Sequence, residues 1–321
     1  MGRKYSYTFF ALNRKRILFT TICTALLFLS AGLLKADDRG GYAGAFLRFG
    51  LGARAKALGG AFVGYPVDGY SGYYNPAGLT SLQHREVLFS YRDLSLDRTF
   101  HYIGFAAPLP PMAGLALGWI HAGVDKIDGR DFTGNHTEWF SDSQNGVLFG
   151  FGLRPAANFS VGIGGTYLRE SLYTITATGF GLNLGVLYRP LPYLSLGLAV
   201  RDLGASYSWN TESLYELGSS TTDRFPTVVT GGTGLELKRY NSILLLDVFK
   251  NSKSEPGVRF GIENGTLEII TLRAGMDDGD FTAGAGIEFH ALEYGGFINY
   301  AFGKTENDTD PAHIFSLRIL F

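Results

Sequence analysis

The chain has 321 residues, 28 basic against 29 acidic, with 44 glycines, 14% aromatic residues and a single cysteine. A basic leading segment, residues 1–36, holds six of the basic residues and no acidic one, so the remainder carries 22 basic against 29 acidic residues, a net of −7. A nucleic-acid partner needs a basic face, so that class is excluded. With Cys23 confined to the leader, disulfides, thiolate nucleophiles and cysteine-based metal sites are excluded as well.

In chain order, residues 1–36 have the layout of a secretory signal peptide. Arg3, Lys4, Arg14, Lys15 and Arg16 form the basic region, Ile17 to Leu34 the apolar run, and Leu34-Lys35-Ala36 the cleavage site. The rival reading is an N-terminal membrane anchor. Beyond residue 36 no apolar stretch approaches the roughly 20 residues of a membrane helix.

Residues 37–85 are irregular. They have a short helical stretch near Ala53–Leu58, turns at Asp68-Gly69 and Asn75-Pro76, and glycine-rich breaks. They are expected to fold as a plug inside or beneath a barrel formed by residues 86–321.

From residue 86 the pattern has period two. Phe281, Ala283, Ala285, Ile287 and Phe289 alternate with Thr282, Gly284, Gly286 and Glu288. Side chains alternate across a strand, so one face is apolar and the other small or polar. Fourteen such segments are expected: 86–93, 98–107, 113–124, 145–153, 157–169, 176–189, 193–203, 226–237, 241–249, 256–263, 266–275, 280–289, 292–302 and 312–321. Every second connection is short, as in Pro108–Pro111, Pro190–Pro192 and Asn264-Gly265. The interleaved ones include the long polar stretches 125–144, 204–225 and 303–311. Outer-membrane barrels have short periplasmic turns and longer outer loops. The fold predicted is an all-β, 14-stranded antiparallel transmembrane barrel in the bacterial outer membrane, with an N-terminal plug. A water-soluble β-sandwich is the alternative, and it would turn its apolar face inward.

The last segment puts Phe315, Leu317, Ile319 and the terminal Phe321 on one face. An apolar alternation ending in an aromatic is similar to the signal by which the barrel-assembly machinery recognises its clients. Charge facing lipid costs about 2–4 kcal/mol for Arg or Lys at the bilayer midplane. Arg92, Asp247, Arg259, Arg273, Glu288 and Arg318, all opposite the apolar face, should therefore face the lumen as a polar network or head-group site.

Phe46 to Gly64 and Tyr73-Tyr-Asn-Pro-Ala-Gly-Leu79 resemble the N-terminus of the PorV/PorQ family, which is similar to the FadL-type long-chain fatty acid transporters. The elements that carry the resemblance are Ala53-Arg54-Ala55, Gly59-Gly60-Ala61-Phe62 and Asn75 to Leu79. It implies a fourteen-strand barrel closed by a hatch, a hydrophobic ligand held in an apolar pocket, and exit through a gap in the barrel wall. By position, Arg54, Gly59, Gly60, Phe62, Tyr73, Tyr74, Asn75, Pro76 and Ala77 would form the hatch and ligand pocket. Between Gly60 and Asn75 only Asp68 is acidic, amid Tyr65, Tyr70, Tyr73 and Tyr74, which speaks against an ionic role there and for an apolar pocket.

Other motifs carry less. Gly50-Leu-Gly-Ala-Arg-Ala55 fits a dinucleotide pattern, but Gly59-Gly60 would break the helix and no βαβ unit surrounds it. The six histidines are scattered, with no H-E-x-x-H and no G-x-S-x-G; a Ser–His pair across strands is the one hydrolytic arrangement left open. Asp125, Asp128, Asp131, Glu138 and Asp142 do not match the EF-hand calcium spacing. The expectation is a non-enzymatic channel without cofactor or metal, taking up hydrophobic small molecules such as long-chain fatty acids. Its partners would be outer-membrane lipid, the ligand and the assembly machinery. The alternative is a PorV-like scaffold that docks exported proteins.

Overall fold

The computed structural model describes residues 42–211, 218–265, 267, 269–291, 294–303 and 311–321. The expected leader 1–36 with Cys23, and residues 304–310 of the expected loop 303–311, lie outside the described residues.

Among the described residues, sixteen strands form one sheet. They are β1 (Glu86–Leu94), β2 (Arg98–Leu109), β3 (Ala113–Arg130), β4 (His136–Ala156), β5 (Phe159–Leu172), β6 (Ile175–Leu191), β7 (Leu194–Leu203) and β8 (Ser206–Asn210), followed by β9 (Ser220–Arg224), β10 (Val228–Leu237), β11 (Ser242–Asn251), β12 (Gly257–Asn264), β13 (Ile270–Asp277), β14 (Asp280–Ala291), β15 (Tyr294–Gly303) and β16 (Ala312–Leu320). β8 and β9 make a side hairpin that joins β6 through the Thr178–Ser208 pair. The other fourteen close into an antiparallel barrel, with β1 on β16 and β5 on β6. Closure leaves no unpaired edge, the condition a sheet must meet to cross a bilayer.

The alternation decides which way the sheet faces. Phe281, Ile287, Phe180, Leu184 and Phe315 are exposed, while Thr282, Asn183 and Ser316 on the opposite face are buried. The apolar face therefore points outward, the reverse of a sandwich. At one end of this belt Tyr91, His101, His121 and Trp119 form a run of ring contacts and Tyr300 stacks on His313, in the manner of an interfacial aromatic girdle. Large size, closure and an apolar exterior are those of a bacterial outer-membrane protein.

Phe321 pairs its backbone with Arg85, its N–H donating to the Arg85 carbonyl at 3.1 Å and the reverse bond also at 3.1 Å. This places the C-terminus at the side of the short turns.

Two differences from the sequence reading share one cause. β3 and β4 run on as a ribbon to Arg130 and His136, so 125–144 is mostly strand, not loop. Crossing takes roughly 9–11 residues of strand. Beyond the bilayer both faces are wet, the apolar alternation ends, and polarity imitates a loop. The expected loop 204–225 likewise contains β8–β9, whose Tyr207 alternates inward and is buried against Phe225 at 4.9 Å. The strand expected from residue 266 begins at Ile270.

Residues 43–85 lie within the barrel as α1 (Ala45–Arg48), α2 (Ala53–Ala57), α3 (Ser71–Tyr74) and a 3₁₀ turn, Pro76–Ser81. α2 packs on β13–β16, and the 3₁₀ turn on β2–β6. The lumen face is rich in glycine because this segment presses on the wall. A Cβ at Gly162 or Gly185 would run into Asn75, Pro76 or Ala77; one at Gly275 or Gly284 would meet Leu58, Gly59 or Ala57.

Candidate functional site

Three zones are stacked along the barrel axis. The upper zone is apolar. α1 sits between two left-handed glycines, Gly44 (φ 70°) and Gly50 (φ 76°), a conformation that costs glycine little. It buries Phe46 and Leu47 among Leu94, Phe100, Ile120, Leu148 and Leu168. Tyr73 donates its hydroxyl to the Leu47 carbonyl. The Tyr74 hydroxyl accepts from the Leu51 N–H and donates to the Leu51 carbonyl, each at 3.0 Å. Tyr73 and Tyr74 thus hold α1 in place. Arg201 lies over the Tyr73 ring at 4.4 Å, and its Nη1 is buried with no hydrogen-bond partner among the described residues. Arg92 lies over Phe49 at 5.7 Å and Phe100 at 5.5 Å and donates to the Gly50 carbonyl at 3.4 Å.

The middle zone fastens the segment to the wall. Asp247 accepts the Phe62 and Val63 N–H groups, both at 2.9 Å. Asp277 holds Lys56 at 3.3 Å and Arg259 at 2.8 Å. Burial pulls the Lys56 ammonium below its ordinary range, against the upward pull of Asp277. Asn75 is fully buried. Its amide donates to the carbonyls of Val63 (3.0 Å) and Val186 (3.1 Å), and its oxygen accepts the Ala77 N–H at 3.2 Å. Asparagine here is an N-cap and Pro76 occupies the first position, where a missing N–H costs nothing. Gly59 (φ 66°) and Gly60 (φ 75°) end α2, and the Gly60 N–H returns to the Ala55 carbonyl at 2.9 Å. Substituting Asn75 by alanine strands two buried carbonyls and an N–H, at about 1–3 kcal/mol each. We expect greater protease cleavage of residues 60–80 in an otherwise assembled barrel, seen by mass spectrometry of the fragments.

The lower zone is ionic. Arg54 holds Glu263 with two bonds, at 2.7 and 2.9 Å, and reaches Asp68 at 3.3 Å. Arg273 donates to the same Glu263 at 2.6 Å and to Asn299 at 2.9 Å. Arg318 pairs with Asp68 at 3.3 Å. Glu86 accepts the Gly69 N–H at 2.8 Å. Beneath, two adjoining cavities of about 230 and 360 Å³ share Tyr65, Ile243, Glu263 and Thr271 and open at the short-turn mouth. At the same mouth Arg154 donates to the Thr80 carbonyl and Arg189 to the Ser81 hydroxyl at 2.7 Å, anchoring the end of the 3₁₀ turn.

The residues expected to form one ligand pocket are therefore spread over all three zones. Tyr73 and Tyr74 frame the upper chamber. Gly59, Gly60, Phe62, Asn75, Pro76 and Ala77 are packed against the wall. Arg54 belongs to the ionic cluster. Asp68, which sequence alone gives no ionic role, is buried between two arginines, Arg54 on α2 and Arg318 on β16, the second far away in sequence. Of the lumen set, Arg92, Asp247, Arg259, Arg273 and Arg318 are inside. Glu288 faces the lower mouth but is exposed, with His290 at 3.5 Å: among the described residues, β14 has passed the inner segment at that height. Arg201, Glu263, Lys56 and Asp277 are not singled out by sequence, although Glu263 falls on the lumen parity of β12.

Outside the lumen, Asp131 accepts from Thr133 (2.7 Å) and Asn135 (2.9 Å), which hold its carboxyl down at about 2. Asp128 is taken by Arg130 and His136. Among the described residues no group of three metal-ligating side chains occurs. The side-chain partners of His121, His136 and His313 are Asn145, Asp128 and Tyr300. A trench of about 640 Å³ lined by Phe89, Ile103, Trp119, Phe315 and Leu317 lies on the outward face, against the hydrocarbon belt.

No family model matches the chain, and no curated protein matches it in sequence. Solved structures do match. The Pseudomonas putida toluene transporter TodX superposes with a TM-score of 0.59 at 12% identity over 84% of this chain and 96% of that one. CymD, a monoaromatic hydrocarbon channel, gives 0.62 at 12% identity over 85% and 98%. A Pseudomonas aeruginosa FadL homologue gives 0.56 at 14% identity over 81% and 95%. These matches bear on the FadL-type side of the resemblance and do not show the PorV/PorQ side. The chain has the fold of the FadL-type outer-membrane channels, a closed 14-stranded antiparallel β-barrel.

Proposed function

We propose that the protein is a channel for uptake of hydrophobic small molecules, that residues 42–85 act as its hatch, and that its ligands are amphipathic acids such as long-chain fatty acids. One observation carries this reading: the apolar upper chamber is occupied by Phe46 and Leu47 of the chain's own α1, one tyrosine ring away from Arg201. Burying a Leu or Phe side chain is worth about 1.5–3 kcal/mol. An acyl chain that displaced both would recover a comparable amount, so exchange is close to balanced. The carboxylate then tips it, because the buried Arg201 Nη1 gains a charge-assisted hydrogen bond worth about 1.5–3 kcal/mol. The neighbouring structures named as toluene and monoaromatic hydrocarbon channels support a hydrophobic cargo.

Uptake of radiolabelled oleate by cells carrying the assembled barrel tests it. Saturable uptake above that of cells without the barrel is expected, and Arg201→Met should raise the half-saturating oleate concentration about 10-fold or more. Equal oleate uptake with and without the barrel would refute the reading. We further propose that Phe315, Leu317, Ile319 and Phe321 are read by the assembly machinery. Phe321→Ala should lower the share of barrel that migrates as the folded form on an unheated denaturing gel; an unchanged share would count against it.

A further inference from the structure

A ligand released from the hatch has two ways out, sideways through the wall or along the axis. The wall is closed. Each of the fourteen barrel strands is paired on both sides. Between β6 and β7 the register slips where Arg201 and Asp202 face Asn183, but the seam is filled: the Asp202 N–H donates to Asn183 Oδ1 at 3.0 Å, and a Cβ at Gly181 would lie 2.9 Å from that of Ala205. The gap implied by the resemblance is absent among the described residues. Along the axis, by contrast, the two lower cavities adjoin through Tyr65, Ile243, Glu263 and Thr271 and together line a vestibule. Its inner end touches Arg54, Asp68 and Arg318, and its outer end Glu236, Lys238 and Glu288 at the short-turn mouth.

We infer that ligand leaves axially, through this vestibule into the periplasm, with the Arg54–Glu263–Arg273 cluster as the barrier it must part. The inference rests on the uptake reading above. The lining selects the cargo. A carboxylate presents to Arg54 and Arg273 the same two-oxygen geometry that Glu263 presents, so it can take over those bonds as the cluster opens. A bare hydrocarbon gains nothing from Arg54, Arg273, Glu236 or Lys238 and leaves their charges poorly paired. Axial exit therefore belongs to amphipathic acids.

The experiment compares two filled variants of the full-length barrel in the oleate uptake assay. Ile243→Trp with Thr271→Trp blocks the vestibule. Leu203→Trp, on the outward face of β7, crowds the slipped β6–β7 seam from the lipid side. Folded-form migration on an unheated gel admits each variant to the comparison. Blocking the vestibule should reduce uptake to the level of cells without the barrel, and Leu203→Trp should leave it at the wild-type rate. Wild-type uptake by the blocked vestibule, or loss of uptake by Leu203→Trp alone, would overturn the axial route while leaving the uptake reading standing. If the blocked pair does not assemble, Thr271→Trp alone is expected to slow uptake, and an unchanged rate overturns the route. No uptake by the wild type removes the uptake reading itself and the route with it.

Discussion

Glu263→Ala should release the inner segment from the wall while leaving the barrel closed. In the wild type one carboxylate balances two buried guanidinium groups, Arg54 from α2 and Arg273 from β13, through three hydrogen bonds of 2.6–2.9 Å. Removing it leaves two buried cations, with Asp68 left to balance Arg54 and shared with Arg318. Breaking a buried pair by deleting one partner costs about 3–5 kcal/mol, most of it the penalty of the stranded charge. The barrel ladder does not pass through Glu263's side chain, so the cost falls on the contact between segment and wall. Limited proteolysis should cut near residues 65–70 from the periplasmic side, while the folded form on an unheated gel persists. The double variant Glu263→Leu with Arg54→Leu removes both charges of the two-bond pair and should recover part of the protection. An uncut single variant would mean that the ionic cluster does not hold the segment.

The second large effect is steric. Gly162 and Gly185 face each other across β5 and β6 and form the slot into which Asn75, Pro76 and Ala77 fit. Leucine at Gly185 would place its Cβ on the Asn75 side-chain oxygen and 2.9 Å from Pro76 Cδ. Overpacking costs about 1–3 kcal/mol. Pushing Asn75 aside also deprives the Val63 and Val186 carbonyls of their donor, about 1–3 kcal/mol each. Gly185→Leu should therefore expel the 3₁₀ turn from its slot, or stall assembly before the segment docks. Leu184→Ala, one residue away on the lipid face, should do neither. The folded share on an unheated gel and cleavage of residues 60–80 distinguish these outcomes; matching behaviour of the two variants would discount the slot.

The barrel is legible in sequence because its physics is local. A strand between lipid and lumen must alternate, and Phe281 to Phe289 does so residue by residue. Legibility ends where that constraint ends. The ribbon beyond Val124 is wet on both faces, and β8–β9 shows only Ser206-Tyr-Ser-Trp209, too short to stand out. The glycine excess is visible, but its reason is not: Gly162, Gly185, Gly197 and Gly275 each answer to particular atoms of the inner segment, and that pairing needs the three-dimensional register. The same holds for charge. Arg54 and Glu263 are 209 residues apart, and Lys56 and Asp277 are 221 apart. Asp68 stands alone in its stretch and looks marginal in sequence, although the barrel brings Arg54 and Arg318 to it. Asn75-Pro76-Ala77 is recognisable as a motif; that it caps a 3₁₀ turn and bonds to β6 is not.

The central claim is that the inner segment must move for ligand to pass. The chain has no cysteine beyond residue 36, so a single engineered pair gives a clean lock. A Cβ on Gly72 of α3 would lie 2.9 Å from that of Ala116 on β3. A shift of about 1 Å brings the two to disulfide spacing, roughly 3.5–4.5 Å between Cβ atoms. Oleate uptake by the Gly72→Cys, Ala116→Cys barrel is the measurement. Uptake should be abolished when the pair is oxidised and restored by reductant. Equal uptake in the oxidised and reduced forms, with the disulfide verified, would contradict a moving hatch.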